Sequence, residues 1–242
     1  MRQFTLAGLR NRLAVLAGRR PAVPPPPVPA APQVAAPGGM AEIFGDVYEH
    51  GKWGRDDSLS GPGSDLRQTE ILRRTLPSLL AELGVRSMLD IPCGDWFWMR
   101  HCELGIEQYT GGDVVPWLVE QHRATFGKPG REFRVMDLVH GELPTVDLIF
   151  CRDCLVHFSE ANIHLALANI RRTGARYLLT TTFPERSQNK DITTGQWRPL
   201  NLCQAPFSLP PPLKLINEGC TEENGAWTDK SLGLWPVSAI PA

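Results

Sequence analysis

Apolar and amphipathic runs alternate along the chain from residue 65 to residue 183. "DLRQTEILRRTLPSLLAEL" carries apolar residues at helical spacing, with Asp65 near its start as a cap and Gly84 as its stop. "SMLDI" is a short apolar run and predicts a strand, and "WFWMRHCEL" predicts a helix. "QYTGGDVV" predicts a strand ending in Asp113. "PWLVEQHRATF" then predicts a helix with Pro116 in its first turn. "REFRVMDL" reads as a strand ending near Asp137 and "VDLIFCRD" as a buried strand. "SEANIHLALANIRRT" reads as a helix capped by Ser159, and "ARYLLTTTF" as another strand. The rhythm breaks at residues 184–212, which are polar and proline-rich. "LKLINEG" and "SLGLWPVSAI" follow as two last strands, and a loop between them makes them antiparallel. The expected fold is therefore α/β: a doubly wound, seven-stranded, mostly parallel sheet with an antiparallel last strand and helices on both faces.

The beginning of the chain has a different texture. "MRQFTLAGLRNRLAVLAGRR" is Arg-rich, acid-free and amphipathic, and a Pro/Ala-rich linker follows it. The expectation is a leader and linker over 1–39 and one domain over 40–242. The 242 residues, 42% hydrophobic and 21% charged, suit one globular domain with a sizeable core. A net charge of -1 gives no field that favours nucleic acid, and no apolar run approaches a membrane span. Six scattered cysteines predict free thiols in a reducing compartment. The expected location is the cytoplasm, or the mitochondrion if the Arg-rich leader is a transit peptide.

Candidate chemistry gathers where "MLDIPCGDWFWM" stops being apolar. In a doubly wound sheet, ligands bind at the carboxyl ends of the strands. A dinucleotide pyrophosphate needs several glycines and free amides there. This loop has one glycine, Gly94. Pro92 lacks an N–H, Cys93 follows it, and Asp95 stands where phosphates would lie. Such a loop repels pyrophosphate and suits a ligand with cationic groups. S-adenosylmethionine carries a sulfonium and an ammonium and no phosphate. Asp90, Asp113 and Asp137 end three consecutive strands. Asp113 falls where an acid commonly holds ribose hydroxyls, and Asp137, followed by Leu138, faces the adenine amino group in this reading.

These stretches together resemble the class I S-adenosylmethionine-dependent methyltransferases over residues 43–240. "MLDIPCGDWFWM" corresponds to the glycine loop, "YTGGDVV" to the ribose acid and "RVMDL" to the adenine acid. One departure is Trp96, which stands where that family usually has a second glycine. "SLSGPGS", "GQWRPLNL" and "DKSLGLW" are similar to stretches of a bacterial subgroup associated with glycan and natural-product pathways. The resemblance implies a segment ahead of the sheet that covers the amino-acid end of the cofactor. Ser60, Gly61, Gly63 and Ser64 would meet its carboxylate, and Trp53 would pack over it. Cys151 and Arg152 would pack beside the cofactor.

His157 is the candidate general base, because an imidazole suits proton removal from a hydroxyl near neutral pH. Asp153 would hold the cofactor's ammonium or orient the acceptor. The Cys151/Cys154 pair also has redox spacing, but it sits deep in the alternating pattern with no second pair at zinc spacing nearby. Residues 184–212 carry Asn189, Trp197, Arg198, Asn201 and Phe207, and the expectation is an acceptor lid in which Trp197 stacks while Arg198 and Asn201 bind hydroxyls or a carboxylate. The expected function is methyl transfer to a hydroxyl of a small molecule or glycan. The alternatives are a protein or nucleic-acid methyltransferase, or a regulatory module that binds S-adenosylmethionine without turnover.

Overall fold

The computed structural model describes residues 39–54 and 57–241. The leader and linker expected over 1–39 lie outside these residues, apart from Gly39. Two helices come first, α1 (Met40–His50) and α2 (Glu70–Glu82). The strands are β1 (Ser87–Asp90), β2 (Gln108–Asp113), β3 (Arg131–Val135), β4 (Leu148–Cys151), β5 (Tyr177–Thr182), β6 (Lys214–Asn217) and β7 (Ser231–Pro236). Helix α3 (Pro116–Phe126) joins β2 to β3, and α4 (Glu160–Arg172) joins β4 to β5.

The seven strands form one sheet in the order β3-β2-β1-β4-β5-β7-β6. The first five are parallel, and β7 runs antiparallel to both β5 and β6. β1 sits near the middle, with Leu89 paired to Thr110 on one side and to Ile149 on the other. The chain reverses its winding direction between β1 and β4, which opens a crevice at their carboxyl ends.

Side chains that alternate across the strands build two cores. Leu89, Ile149 and Leu178 face one side with α1 and α4. Met88, Leu148, Phe150 and Leu179 face the other with α2. Helix α3 serves both, Leu118 in the first cluster and Val119 in the second. On α4, Ile163, Ala166, Leu167 and Ile170 make a stripe at helical spacing with at most 4% exposure. Each buried Ile or Leu of the stripe contributes about 1.5–3 kcal/mol by leaving water. The Ser159 hydroxyl accepts from the Asn162 amide at 3.3 Å, which caps the helix as the sequence predicts.

The structure differs from the predicted elements at two places. "WFWMRHCEL" is not a helix; only Met99–His101 form a single 3-10 turn. Trp96 and Trp98 are both buried there, a two-residue period that no helix face accommodates. Asp65 caps an irregular turn ahead of α2 rather than the helix: its carboxylate accepts from the Gln68 amide at 2.6 Å, and the helix proper begins at Glu70. Gly84, at φ 61, follows the helix end as predicted.

Candidate functional site

A cleft opens at the carboxyl ends of the first four strands. One wall is the loop after β1, and α1 covers the mouth with Met40, Phe44 and Tyr48. Gly94 turns the loop at φ 54. A Cβ there would lie 2.4 Å from the Ser60 hydroxyl and 3.3 Å from the Tyr48 hydroxyl, so only glycine lets loop and cover approach.

Two carboxylates lie beneath this loop. Asp90, 3% exposed, accepts from the Tyr109 hydroxyl, which itself receives the Trp96 indole N–H at 2.7 Å. Burial raises its pKa to about 7, opposed by the Tyr109 hydrogen bond. Asp113, 2% exposed, accepts the Val115 amide on Oδ1 at 3.0 Å and the Gly94 amide on Oδ2 at 3.1 Å. Burial again dominates and raises it to about 6. Two raised acids against one cleft form a site that gains from a cation and loses from a phosphate.

The other wall is the segment after β4. Asp153 has a left-handed backbone at φ 50, a strained conformation for a non-glycine residue. Its amide donates to Thr181 Oγ1 at 2.8 Å. Two cations, Lys230 at 2.7 Å and Arg152 at 3.2 Å, face Asp153 Oδ2. Although burial opposes it, the charges of Arg152 and Lys230 hold the carboxyl down at about 2. His157 stacks on Trp53 with ring centroids 4.7 Å apart, and Phe44 lies tilted against Trp53 and edge-on to His157, at 6.1 and 6.5 Å. Its Nδ1 lies 2.9 Å from the Gln196 carbonyl. The carbonyl can only accept, so Nδ1 carries the proton and Nε2 keeps its lone pair. Burial lowers the His157 pKa and favours that neutral form.

No family model matches this sequence, and no curated protein matches it. Solved structures do match. Human N-acetylserotonin methyltransferase, crystallised with S-adenosylmethionine, aligns with a TM-score of 0.50 at 14% identity over 80% of this chain and 66% of its own. The chain thus spans just under two thirds of that relative's length. The methyltransferase domain of bacterial CtHen1 aligns with a TM-score of 0.50 at 12% identity, over 71% of this chain and 100% of its own. This chain has the class I methyltransferase fold.

Within that methyltransferase fold, the expected second glycine is replaced without loss of the turn. Trp96 takes the left-handed conformation itself, at φ 55. Its ring, 3% exposed, packs against Phe126 and Phe133 at 4.8 and 5.2 Å, under the Arg131 guanidinium.

Of the residues singled out from the sequence, Trp53, Ser60, Ser64, Asp90, Pro92, Cys93, Gly94, Asp95, Asp113, Asp137, Leu138, Arg152, Asp153 and His157 all line the cleft. Their side chains do different work. Asp95 is turned toward the cover segment, where it accepts from Ser58 Oγ, the Leu59 amide and Ser60 Oγ. Asp137 caps its own turn, accepting the Val139 and His140 amides at 2.7 and 3.2 Å. Gly61, Gly63 and Cys151 are not in the lining. Gly61, at φ 92, backs onto Trp53, and the Gly63 carbonyl accepts from Arg152 at 2.8 Å. Cys151 is fully buried inside β4. The thiols of Cys93 and Cys154 line the cleft, and burial pushes both far up, so they stay protonated. Among the described residues no cluster of three or more His, Cys, Asp or Glu could hold a metal.

Trp197, Arg198 and Asn201, the residues expected to form an acceptor lid, lie away from this cleft. Arg198, 5% exposed, donates to the carbonyls of Leu155 and Phe158 at 2.9 and 2.8 Å, which clamps the turn that carries His157. Asn201 donates to the carbonyls of Pro184 and Arg186 at 3.1 and 2.8 Å. Trp197 is 39% exposed and packs against Trp227 at 4.7 Å and Phe183 at 6.0 Å. The donors of Arg198 and Asn201 are taken up by backbone carbonyls of the chain, of which that of Leu155 also accepts the Phe158 amide at 3.1 Å. Sequence reasoning missed Glu218 and Lys230, which stand directly behind Arg152 and Asp153. For Lys230 the signal was in "DKSLGLW", a charge immediately before a buried strand; Glu218, in "LKLINEG", had no such marker.

Proposed function

We propose that this chain is an S-adenosylmethionine-dependent methyltransferase acting on a hydroxyl of a small molecule or glycan. One observation carries the reading: four strand ends each bring an acid, Asp90, Asp113, Asp137 and Asp153, to one cleft built around a single-glycine loop. The raised Asp90 and Asp113 fit a ligand with positive charge and leave no place for a pyrophosphate. When bound, S-adenosylmethionine supplies a methyl group already activated by its positively charged sulfur.

The residues of the chain would hold and orient that ligand. Asp113 would accept from ribose hydroxyls, the segment 136–138 would flank the adenine, and Asp153 would face the ammonium. Most of the acceleration comes from alignment and exclusion of water. The aromatic cover of Phe44, Tyr48 and Trp53 would exclude water. His157 would take the acceptor's proton at Nε2 while Gln196 holds the ring through Nδ1.

Calorimetry with S-adenosylmethionine and S-adenosylhomocysteine tests the first half. Formation of S-adenosylhomocysteine from a panel of hydroxyl acceptors tests the second. His157→Gln should leave S-adenosylhomocysteine affinity within about twofold and slow transfer by about 10²-fold, the usual scale of a general base. A wild-type chain that binds neither compound refutes the reading. An unslowed His157→Gln removes only the base.

A further inference from the structure

The cleft wall at Asp153 is backed by a cluster of charge that the proposed chemistry leaves unexplained. The Arg152 guanidinium, 6% exposed, donates to Glu218 Oε2 from Nε at 3.1 Å and from Nη2 at 2.7 Å. The same Nη2 reaches the Gly63 carbonyl at 2.8 Å, and Nη1 faces Asp153. Lys230, 5% exposed, donates to Asp153 Oδ2 at 2.7 Å and lies 3.6 Å from Glu222 and 4.0 Å from Glu218. A Cβ on Gly63 would stand 3.0 Å from Glu222 and 3.2 Å from Lys230, so the loop 61–64 is pressed onto these groups.

Buried charges are costly, and such a cluster persists only where its geometry is nearly complete. This one is incomplete by one positive charge. Arg152 and Lys230 face Asp153, Glu218 and Glu222, three carboxylates against two cations. Glu218 Oε1 is buried without a partner. Arg152 and Asp153 present the front of the cluster to the cleft, and Glu218 and Lys230 form its back.

We propose that Lys230 and Glu218 are positioning residues, which act through Asp153 and Arg152 to fix one carboxylate and the loop 61–64 against the ammonium-bearing end of the methyl donor. The inference rests on the reading of the cleft as a methyl-donor site. Lys230 anchors Asp153 in its strained backbone conformation with the carboxylate ionised. Glu218 aims Arg152 so that its guanidinium reaches both Asp153 and the Gly63 carbonyl. The ligand's own ammonium would supply the missing positive charge.

Two ligands separate positioning from general support of the fold. S-adenosylhomocysteine carries the amino-acid end, and methylthioadenosine shares the nucleoside but lacks that end. Calorimetry on the full chain should show that Lys230→Met weakens S-adenosylhomocysteine at least tenfold. Methylthioadenosine should stay within about twofold, and Lys230→Arg should recover most of the loss. Asp153→Asn should give the same selective pattern, and it carries the test if Lys230→Met does not fold. Equal loss for both ligands would reduce the cluster to structural support and overturn the inference. Unchanged affinity for both would overturn it too. Either result leaves the methyl-donor reading standing, provided that the wild type binds S-adenosylhomocysteine. A wild type that binds neither ligand removes both.

Discussion

Replacing Trp96 by glycine restores the residue that the family usual pattern places there, and it should nonetheless harm the protein. Two effects oppose each other. Trp96 sits at φ 55, and relief of a left-handed backbone at a non-glycine residue returns about 1–2 kcal/mol. Against this, the ring is 3% exposed and wedged between Phe126 and Phe133, so its removal leaves a cavity. Truncation of a buried tryptophan costs about 3–5 kcal/mol. The Tyr109 hydroxyl also loses the indole donor that orders it toward Asp90. The net expectation is a loss of about 2–3 kcal/mol, or roughly 4–12 °C in melting temperature for a domain of this size. Thermal and urea unfolding followed by circular dichroism measure it directly. An unchanged or higher melting temperature would show that the backbone strain, and not the packing of the ring, dominates at this position, and the account of the loop would fail.

Other expectations follow from the same contacts. Affinity for S-adenosylmethionine should rise about tenfold from pH 5 to pH 8, as Asp113 (about 6) and Asp90 (about 7) ionise; a flat calorimetric profile refutes their role. Both acids sit above their unfolded values, so the stability they add to the ligand-free chain is full below about pH 4 and is lost as pH rises through 6–7. Asp153, held at about 2, has the opposite sign: its contribution is present above pH 4 and is lost as pH falls toward 2. Urea midpoints across pH 3–8 report both trends, and a monotonic rise toward pH 8 would contradict the first. Arg198→Ala should cost at least about 2 kcal/mol of stability, because it strips charged donors from two buried carbonyls. A stable variant with impaired turnover would instead return Arg198 to an acceptor role.

The strands were legible because each is a short apolar run whose position decides its burial; "LIFC" is buried at every residue and reads so directly. The acids at the strand ends were legible for the same reason, since a carboxylate at the end of a buried run must be accounted for. Three things were not legible. The helical period assigned to "WFWMRHCEL" failed because Trp96 packs through a left-handed turn, a backbone choice that no hydrophobic pattern encodes. Arg198 and Asn201 were polar residues in a polar segment, and nothing local distinguished a donor facing a ligand from one facing the chain's own carbonyls. The partnership of Arg152 with Glu218 spans 66 residues, and that of Asp153 with Lys230 spans 77, far beyond the reach of local periodicity.

The place of β7 in the sheet has a consequence for assembly. β7 lies between β5 and β6 although it is the last of the three to be made. β6 therefore has no neighbour to pair with until the strand after it has been added. A chain ending near residue 213 would hold the five parallel strands, the glycine loop and His157, yet lack Glu218 and Lys230 altogether. Asp153 and Arg152 would then face each other without their buried counterparts. The charge cluster behind the cleft can therefore be assembled only once the last two strands have paired, through contacts of long sequence separation.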